Sequence, residues 1–322
     1  MGAWEEIVDY TVPSNTTSVT LNNFGTITKD DFIRVVMTHN STGTEIGLFV
    51  NGNTTASNYY MQFLAGNGTS VIATRANKNQ IDFTPSGSSD VINCYLKLSE
   101  NDNLNIFALN SRSGDSGLNL QFHYNTSTSS FNSITEFNFV ATTGSSIGAN
   151  SRIQIYKLAA EKVADVVVTA NTTQVDITGL DIKKGDEYLL VSDLKASSSG
   201  TGSNLFINDN ITPSNYYLQF MLGVGSTAAA GRLNNAAYNN NQNNQSSLSY
   251  AHIKLSNIGA YTFQNYELRN YGTSNPALIN SFSSSTAENI TSINKINIRS
   301  NSTNQIIVGS RYELYKLYEG GN

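Results

Sequence analysis

One cysteine, one tryptophan and four prolines in 322 residues each remove a class of protein. A single thiol closes no disulfide within one chain and cannot supply the several thiolates of a structural zinc site. Cys94 lies in the apolar run Val91-Ile92-Asn93-Cys94-Tyr95-Leu96 and is expected to be a small buried hydrophobe. Charge is scarce as well, 13% of residues against roughly a quarter in an ordinary globular domain. Nineteen Lys and Arg spread along a chain of net charge −5 build no basic face for the phosphates of a nucleic acid. No window approaches the ~18 consecutive apolar residues that cross a bilayer. Met1-Gly2-Ala3-Trp4-Glu5-Glu6 has neither the basic stretch nor the apolar run of a secretion signal. Neither nucleic acid nor membrane is therefore an expected partner, and folding without membrane translocation is expected.

What the chain does have is Ser, Thr and Asn, together roughly a third of its residues, with 17 Tyr and 14 Phe to build a core. It also repeats itself. Ser57-Asn58-Tyr59-Tyr60-Met61-Gln62-Phe63 recurs 157 residues later as Ser214-Asn215-Tyr216-Tyr217-Leu218-Gln219-Phe220. The same displacement carries Leu48-Phe49-Val50-Asn51 onto Leu205-Phe206-Ile207-Asn208 and Lys97-Leu98-Ser99 onto Lys254-Leu255-Ser256. Ser151-Arg152-Ile153-Gln154-Ile155-Tyr156-Lys157-Leu158 returns as Ser310-Arg311-Tyr312-Glu313-Leu314-Tyr315-Lys316-Leu317, displaced by 159, and Phe32-Ile33-Arg34-Val35 matches Tyr188-Leu189-Leu190-Val191, displaced by 156. Blocks in one order at so long a period mean two complete domains, not a solenoid of short repeats. The expected domains are residues 1–160 and 163–322, each able to fold alone. They are joined through Ala159-Ala160-Glu161-Lys162-Val163-Ala164-Asp165, a short connector without Gly or Pro that holds them in a defined relation.

Each repeat reads as short strands. Ile33, Val35 and Met37, then Leu48 and Val50, then Tyr59, Met61 and Phe63 alternate with polar neighbours in the period of two that a half-buried strand needs. Turn clusters such as Asn40-Ser41-Thr42-Gly43-Thr44 and Asn51-Gly52-Asn53 fall between them. No apolar pattern at helical spacing persists. The fold class is all-β, two tandem antiparallel sandwiches of the jelly-roll kind. Asn239-Asn240-Asn241-Gln242-Asn243-Asn244-Gln245 fills the slot of Asp82 to Ser88 in the first repeat and is expected to be a surface loop.

Sites of chemistry are sparse. His39, His123 and His252 share no metal-ligand spacing with one another or with Cys94, and the nucleophile-elbow, phosphate-loop and zinc-helix motifs are missing. Glycoside hydrolysis needs only two carboxylates brought together by the fold. Glu5 with Glu6, Asp30 with Asp31, Glu100 with Asp102, and Asp186 with Glu187 are the candidates; the pairs before apolar strands are better read as turn acids. Glu100-Asn101-Asp102-Asn103 and Asn208-Asp209-Asn210 offer oxygens without the ligand spacing of a calcium loop. No cofactor or metal is expected. In the repeated strand, Tyr59, Met61 and Phe63, like Tyr216, Leu218 and Phe220, share a core face. Tyr60 and Gln62, with Tyr217 and Gln219, share the other. A Tyr beside an amide on an exposed sheet face can stack on a sugar ring or anchor a neighbouring subunit; the competing reading is that another layer covers it.

The Ser-Asn-Tyr-Tyr-x-Gln-Phe strand after an Asn-rich turn, the strands Ile134 to Phe139 and Ile293 to Ile298, and the closing Gly-x-x-Ser-Arg-Ile-x-Ile-Tyr-Lys-Leu of Gly148 to Leu158 resemble the jelly-roll modules of tailed-bacteriophage virion proteins. That resemblance spans nearly the whole chain and implies a non-enzymatic structural protein exposed on the virion: a capsid decoration or head-fibre protein, a collar or a tail part. It implies other virion proteins as partners, assembly into a homo-oligomer, with a trimer the expected symmetry, and contact with host surface glycans. Two alternatives stand beside it. A carbohydrate-binding module needs an exposed aromatic platform at Tyr60 or Tyr217, and a polysaccharide depolymerase needs two carboxylates about 5–10 Å apart in one cleft.

Overall fold

The computed structural model describes residues 3–40, 45–55, 58–67, 70–84, 90–114, 117–143, 146–195, 203–212, 215–234, 238–240, 246–256, 261–269, 273, 276–285, 290–300 and 306–318. The first half comprises β1 (Trp4–Thr11), β2 (Ser18–Leu21), β3 (Ile33–His39), β4 (Glu45–Val50), β5 (Tyr59–Asn67), β6 (Ser70–Lys78), β7 (Ile81–Thr84), β8 (Asp90–Leu98), β9 (Asn103–Gly114), β10 (Gly117–Ser130), β11 (Phe137–Thr143) and β12 (Arg152–Leu158). The second repeats the plan with β13 (Glu161–Val167), β14 (Gln174–Lys183), β15 (Glu187–Leu194), β16 (Ser203–Ile207), β17 (Tyr216–Val224), β18 (Thr227–Asn234), β19 (Tyr238–Asn240), β20 (Ser247–Leu255), β21 (Tyr261–Arg269), β22 (Ala277–Ser285), β23 (Ser292–Ser300) and β24 (Arg311–Tyr318).

In each half the chain passes back and forth between an eight-stranded and a four-stranded antiparallel sheet. The first orders are β1-β12-β3-β8-β9-β10-β5-β6 and β2-β11-β4-β7; the second are β13-β24-β15-β20-β21-β22-β17-β18 and β14-β23-β16-β19. Every strand of the second half thus has the position of its counterpart twelve earlier. Alternation within strands drives this. Ile33, Val35 and Met37 of β3, Cys94 of β8 and Phe137 and Phe139 of β11 turn inward to one core, and Leu190, Ala251, Phe263 and Leu314 to the equivalent second one. Cys94 is fully buried, and burial pushes its thiol up to about 12.

A third core joins the halves. Phe32, Leu64, Phe107, Phe122, Tyr124 and Leu158 cluster with Leu189, Val191, Leu248, Tyr250, Leu278 and Tyr315. These residues sit on the faces of the eight-stranded sheets that point away from their own four-stranded partners. Phe32 packs on Tyr250 with ring centroids 4.8 Å apart, and Phe107 on Tyr266 at 4.6 Å. The molecule is therefore four sheets deep, with the large sheets back to back.

Three sequence expectations change in detail. The connector shrinks to Ala159 and Ala160, because Glu161 to Asp165 pair with β24 as part of β13. Asn239 and Asn240 are not loop: they pair with Asn204 and Ser203 of β16, while residues 241–245 lie outside the described residues. The register also shows that Tyr188 corresponds to Ile33, not Phe32. Val35 and Leu190 each pair with equivalent residues, Cys94 and Ala251, so the displacement in this strand is 155. A slip of one residue exchanges the two faces, which is why Tyr188 lies in the inner core and Phe32 between the halves.

Candidate functional site

The sharpest repeat in the sequence turns out to be a buckle. Asn51 and Gly52 take positive φ values of 50° and 66°, and Asn208 and Asp209 take 50° and 58°, a conformation that Asn, Asp and Gly tolerate best. The Asn51 Oδ1 accepts from the Thr135 and Glu136 amides at 2.9 and 3.2 Å; the Asn208 Oδ1 accepts from the Asn294 and Lys295 amides at 2.9 and 3.3 Å. Asn58 Nδ2 donates to Asn53 Oδ1 at 3.0 Å, and Asn215 Nδ2 to Asn210 Oδ1 at 2.8 Å. The Tyr216 hydroxyl donates to the Asn210 carbonyl at 2.6 Å, as that of Tyr59 does more loosely to Asn53 at 3.5 Å. The Asn and first Tyr of each repeat therefore lock the crossing from small sheet to large sheet. The Asp209 carboxylate meets the Lys295 ammonium at 2.8 Å, so a lysine occupies the place where a calcium loop would hold its ion.

The four candidate contact residues separate by repeat. Tyr59, Met61, Tyr216 and Leu218 are core as expected, with Phe63 and Phe220 half-buried. On the opposite face Gln62 is fully buried, because the β17–β18 turn of the second half lies over it. Its Oε1 accepts from the Gly225 amide at 2.9 Å and its Nε2 donates to the Gly225 carbonyl at 3.1 Å. The amide thus pairs with a peptide group as a neighbouring strand would. Gly223 passes so close that a Cβ there would stand 3.3 Å from Gln62 Nε2. Gln62 is a clasp between halves, not a surface contact, and Tyr60 beside it is half-buried. Tyr217 and Gln219 lie beyond the overlap and stay exposed, with the Arg232 guanidinium 5.8 Å from the Tyr217 ring centroid.

A charged junction closes another part of the seam. Lys97 of β8 and Glu313 of β24, 3% and 1% exposed, meet at 2.8 Å. Lys97 also donates to the Lys29 carbonyl, and Glu313 accepts from Lys162 at 2.7 Å and from the Tyr315 hydroxyl at 3.0 Å. Arg311 grips Asp165 through two hydrogen bonds and reaches into the first half to Asp30 at 2.8 Å and Glu100 at 3.0 Å. The Glu100 amide in turn donates to Asp193 at 2.6 Å. A hydrogen bond from Arg311 holds the Asp165 carboxyl down to about 2 and that of Asp30 below its ordinary value. Burial opposes ionisation of Glu313, yet Lys97 and Lys162 leave its carboxyl below the usual range. The equivalent residues diverge: among the described residues Lys254 forms an exposed pair with Glu187 alone, and Arg152 an ion pair with Asp9 alone.

The proposed acid pairs are accounted for by this geometry. Asp30 and Glu100 come together on Arg311 as structural ions. Asp31 and Asp186 accept from the Thr28 and Lys183 amides at 2.8 and 2.9 Å, which makes them turn acids. Glu6 accepts from Gln154 at 2.9 Å, Glu5 lies exposed and Asp102 is half-buried. His39 and His123 are buried within the first half, whereas His252 lines a cleft of about 380 Å³ between residues of the two large sheets. Tyr95 faces it across the seam. The two residues are equivalents, 157 apart, a convergence that only the back-to-back packing creates.

No family model matches the chain, and no curated protein matches it in sequence. Among solved structures it is similar to domains LG4-5 of the mouse laminin alpha1 chain, with 8% identity, 100% of this chain and 92% of that chain covered and a TM-score of 0.20. A likeness that slight carries no argument about function.

Proposed function

We propose that this chain is a non-enzymatic structural protein exposed on a bacteriophage virion, in a capsid decoration, head-fibre, collar or tail position. The observation that carries the structural part is the seam. Both repeated halves are committed to one four-sheet body; of the candidate acids, Asp30 and Glu100 are held on Arg311 across the seam, while Asp31 and Asp186 accept from turn amides within their own halves. The virion setting rests on the resemblance of the repeated strands to phage jelly-roll modules. Other virion proteins are its partners, and it assembles as a closed homo-oligomer, a trimer for choice, which matches the rotational symmetry of sites on a particle. Imaging of the intact particle with this chain located in the density tests the proposal: symmetric copies on the surface support it, and absence from the particle overturns it. Incubation with host capsular polysaccharide is expected to release no reducing ends; turnover abolished by one carboxylate substitution would make it a depolymerase instead.

A further inference from the structure

We infer that the cleft between the two large sheets is a binding site for an uncharged sugar unit. Its walls come from both halves: Tyr95 on β8 from the first, and His252, Thr262, Gln264 and Tyr266 on β20 and β21 from the second. This is a different place from the Tyr60 and Tyr217 faces, and residues of both large sheets line it. A volume of about 380 Å³ lies within the ~300–1,000 Å³ of small-ligand pockets, which favour domain interfaces.

The chemistry of the walls selects the ligand class. Tyr95 is fixed from behind by Phe32, ring on ring at 5.8 Å and 5° between planes, and by Trp4 at 6.1 Å. Tyr266 is fixed by Phe107. Two immobilised phenol rings are apolar bodies with polar tips, suited to the mixed surface of a pyranose. Gln264 Nε2 donates to the Tyr266 hydroxyl at 2.6 Å, which aims that hydroxyl and leaves the Gln264 carbonyl oxygen to accept. The His252 ring and the Thr262 hydroxyl, half-buried residues of the lining, make no hydrogen bond among the described residues. Burial lowers the His252 pKa, so the ring presents one donor and one acceptor at neutral pH. The charges at the rim cancel, because Glu187 and Lys254 pair with each other at 2.5 Å. Paired rings, unengaged donors and acceptors, and no net charge fit a hydroxylated neutral ring better than an anion or an extended peptide.

The test uses the full chain and the methyl glycosides of glucose, galactose, mannose and N-acetylglucosamine, with inorganic phosphate as the charged probe. Saturation-transfer NMR is expected to show contact with at least one glycoside, and titration is expected to move the His252 ring resonances. Gln264→Ala, whose side chain is exposed, and His252→Leu are each expected to weaken that affinity about tenfold, the effect of ~1.4 kcal/mol. Gln219→Ala is expected to leave it unchanged. If no glycoside moves the His252 resonances, if phosphate alone does, or if contact persists unaltered in both cleft variants, the inference is wrong. A negative result leaves the location of the chain on a particle untouched, so the two proposals fall separately.

Discussion

At the scale of the residue, equivalent side chains perform unequal work. Gln62 and Gln219 stand in the same place of the repeat, yet the first is buried against Gly225 and the second is exposed. Gln62→Ala is therefore expected to cost about 1 kcal/mol, since it leaves the half-buried Gly225 peptide group without its partner, whereas Gln219→Ala is expected to be neutral. Denaturant unfolding of the two variants makes the comparison. Lys97→Met removes one member of a buried ion pair and is expected to destabilise by less than the ~3–5 kcal/mol of a fully stranded charge, because Lys162 and Arg311 still face Glu313. Adding Glu313→Leu is expected to recover part of that loss, because it removes the carboxylate left without its buried partner. If the double variant is the less stable of the two, the pair contributes more than it costs to bury.

Titration gives the junction a pH signature. Asp30, Asp165 and Glu313 have folded pKa values below their unfolded ones, so the stability they contribute is present above about pH 4 and is lost as pH falls toward about 2. His39 acts at higher pH. It is fully buried, neither ring nitrogen has a partner among the described residues, and burial lowers its pKa from 6.5. The unfolded chain then binds the proton more tightly, so stability falls as pH drops below about 6.5. Melting temperature measured against pH is expected to decline in these two stages, and His39→Leu is expected to reduce the upper one, to which His252, whose pKa burial also lowers, contributes. An unchanged upper stage in that variant would assign it elsewhere.

At the scale of the element, the strands were legible where one face is wet and obscure where both are dry. The alternation of Ile33, Val35 and Met37 marks β3 plainly. In β15 every residue after Glu187 is buried, so Tyr188-Leu189-Leu190-Val191 carries no period by which to choose a register, and the neighbouring match drifts by one. That continuous apolar run was itself the signal of a second covering layer. Arg34 interrupts the corresponding stretch of the first repeat and hides that signal there. The Asn–Tyr buckle was visible as a repeat but not as a buckle, since its partners at 133–136 and 292–295 are distant in sequence.

The sheet edges also differ. β1 and β13 carry Glu5, Glu6 and Asp9 and Glu161, Lys162 and Asp165, and each is broken by a register shift, the usual defences of an exposed edge. The opposite edges, β6 and β18, pair without a shift along their length. After Ser70 and Thr227 they run Val71-Ile72-Ala73 and Ala228-Ala229-Ala230, and Val71 and Ile72 are 61% and 49% exposed. Self-association through these edges predicts that Val71→Lys together with Ala229→Lys lowers the sedimentation coefficient without lowering the melting temperature. An oligomer that survives the change is built through another surface.

At the scale of the whole molecule, the duplicated sequence implied two sandwiches able to stand alone, and the third core alters that expectation. Separating the halves would expose Phe32, Phe107, Leu189, Leu248 and Tyr250 on one broad face each and strand Glu313 without Lys97. Exposed apolar area of that kind is an aggregation liability in a soluble monomer. The pattern of strands said how each half folds; nothing local in it said that the faces left over would complement each other. Calorimetry of the intact chain beside each half tests the fused four-sheet body most directly. The account predicts a single cooperative transition for the whole chain, well above that of either half, with halves that associate or aggregate. Two separate transitions, each at the temperature of a soluble isolated half, would contradict it.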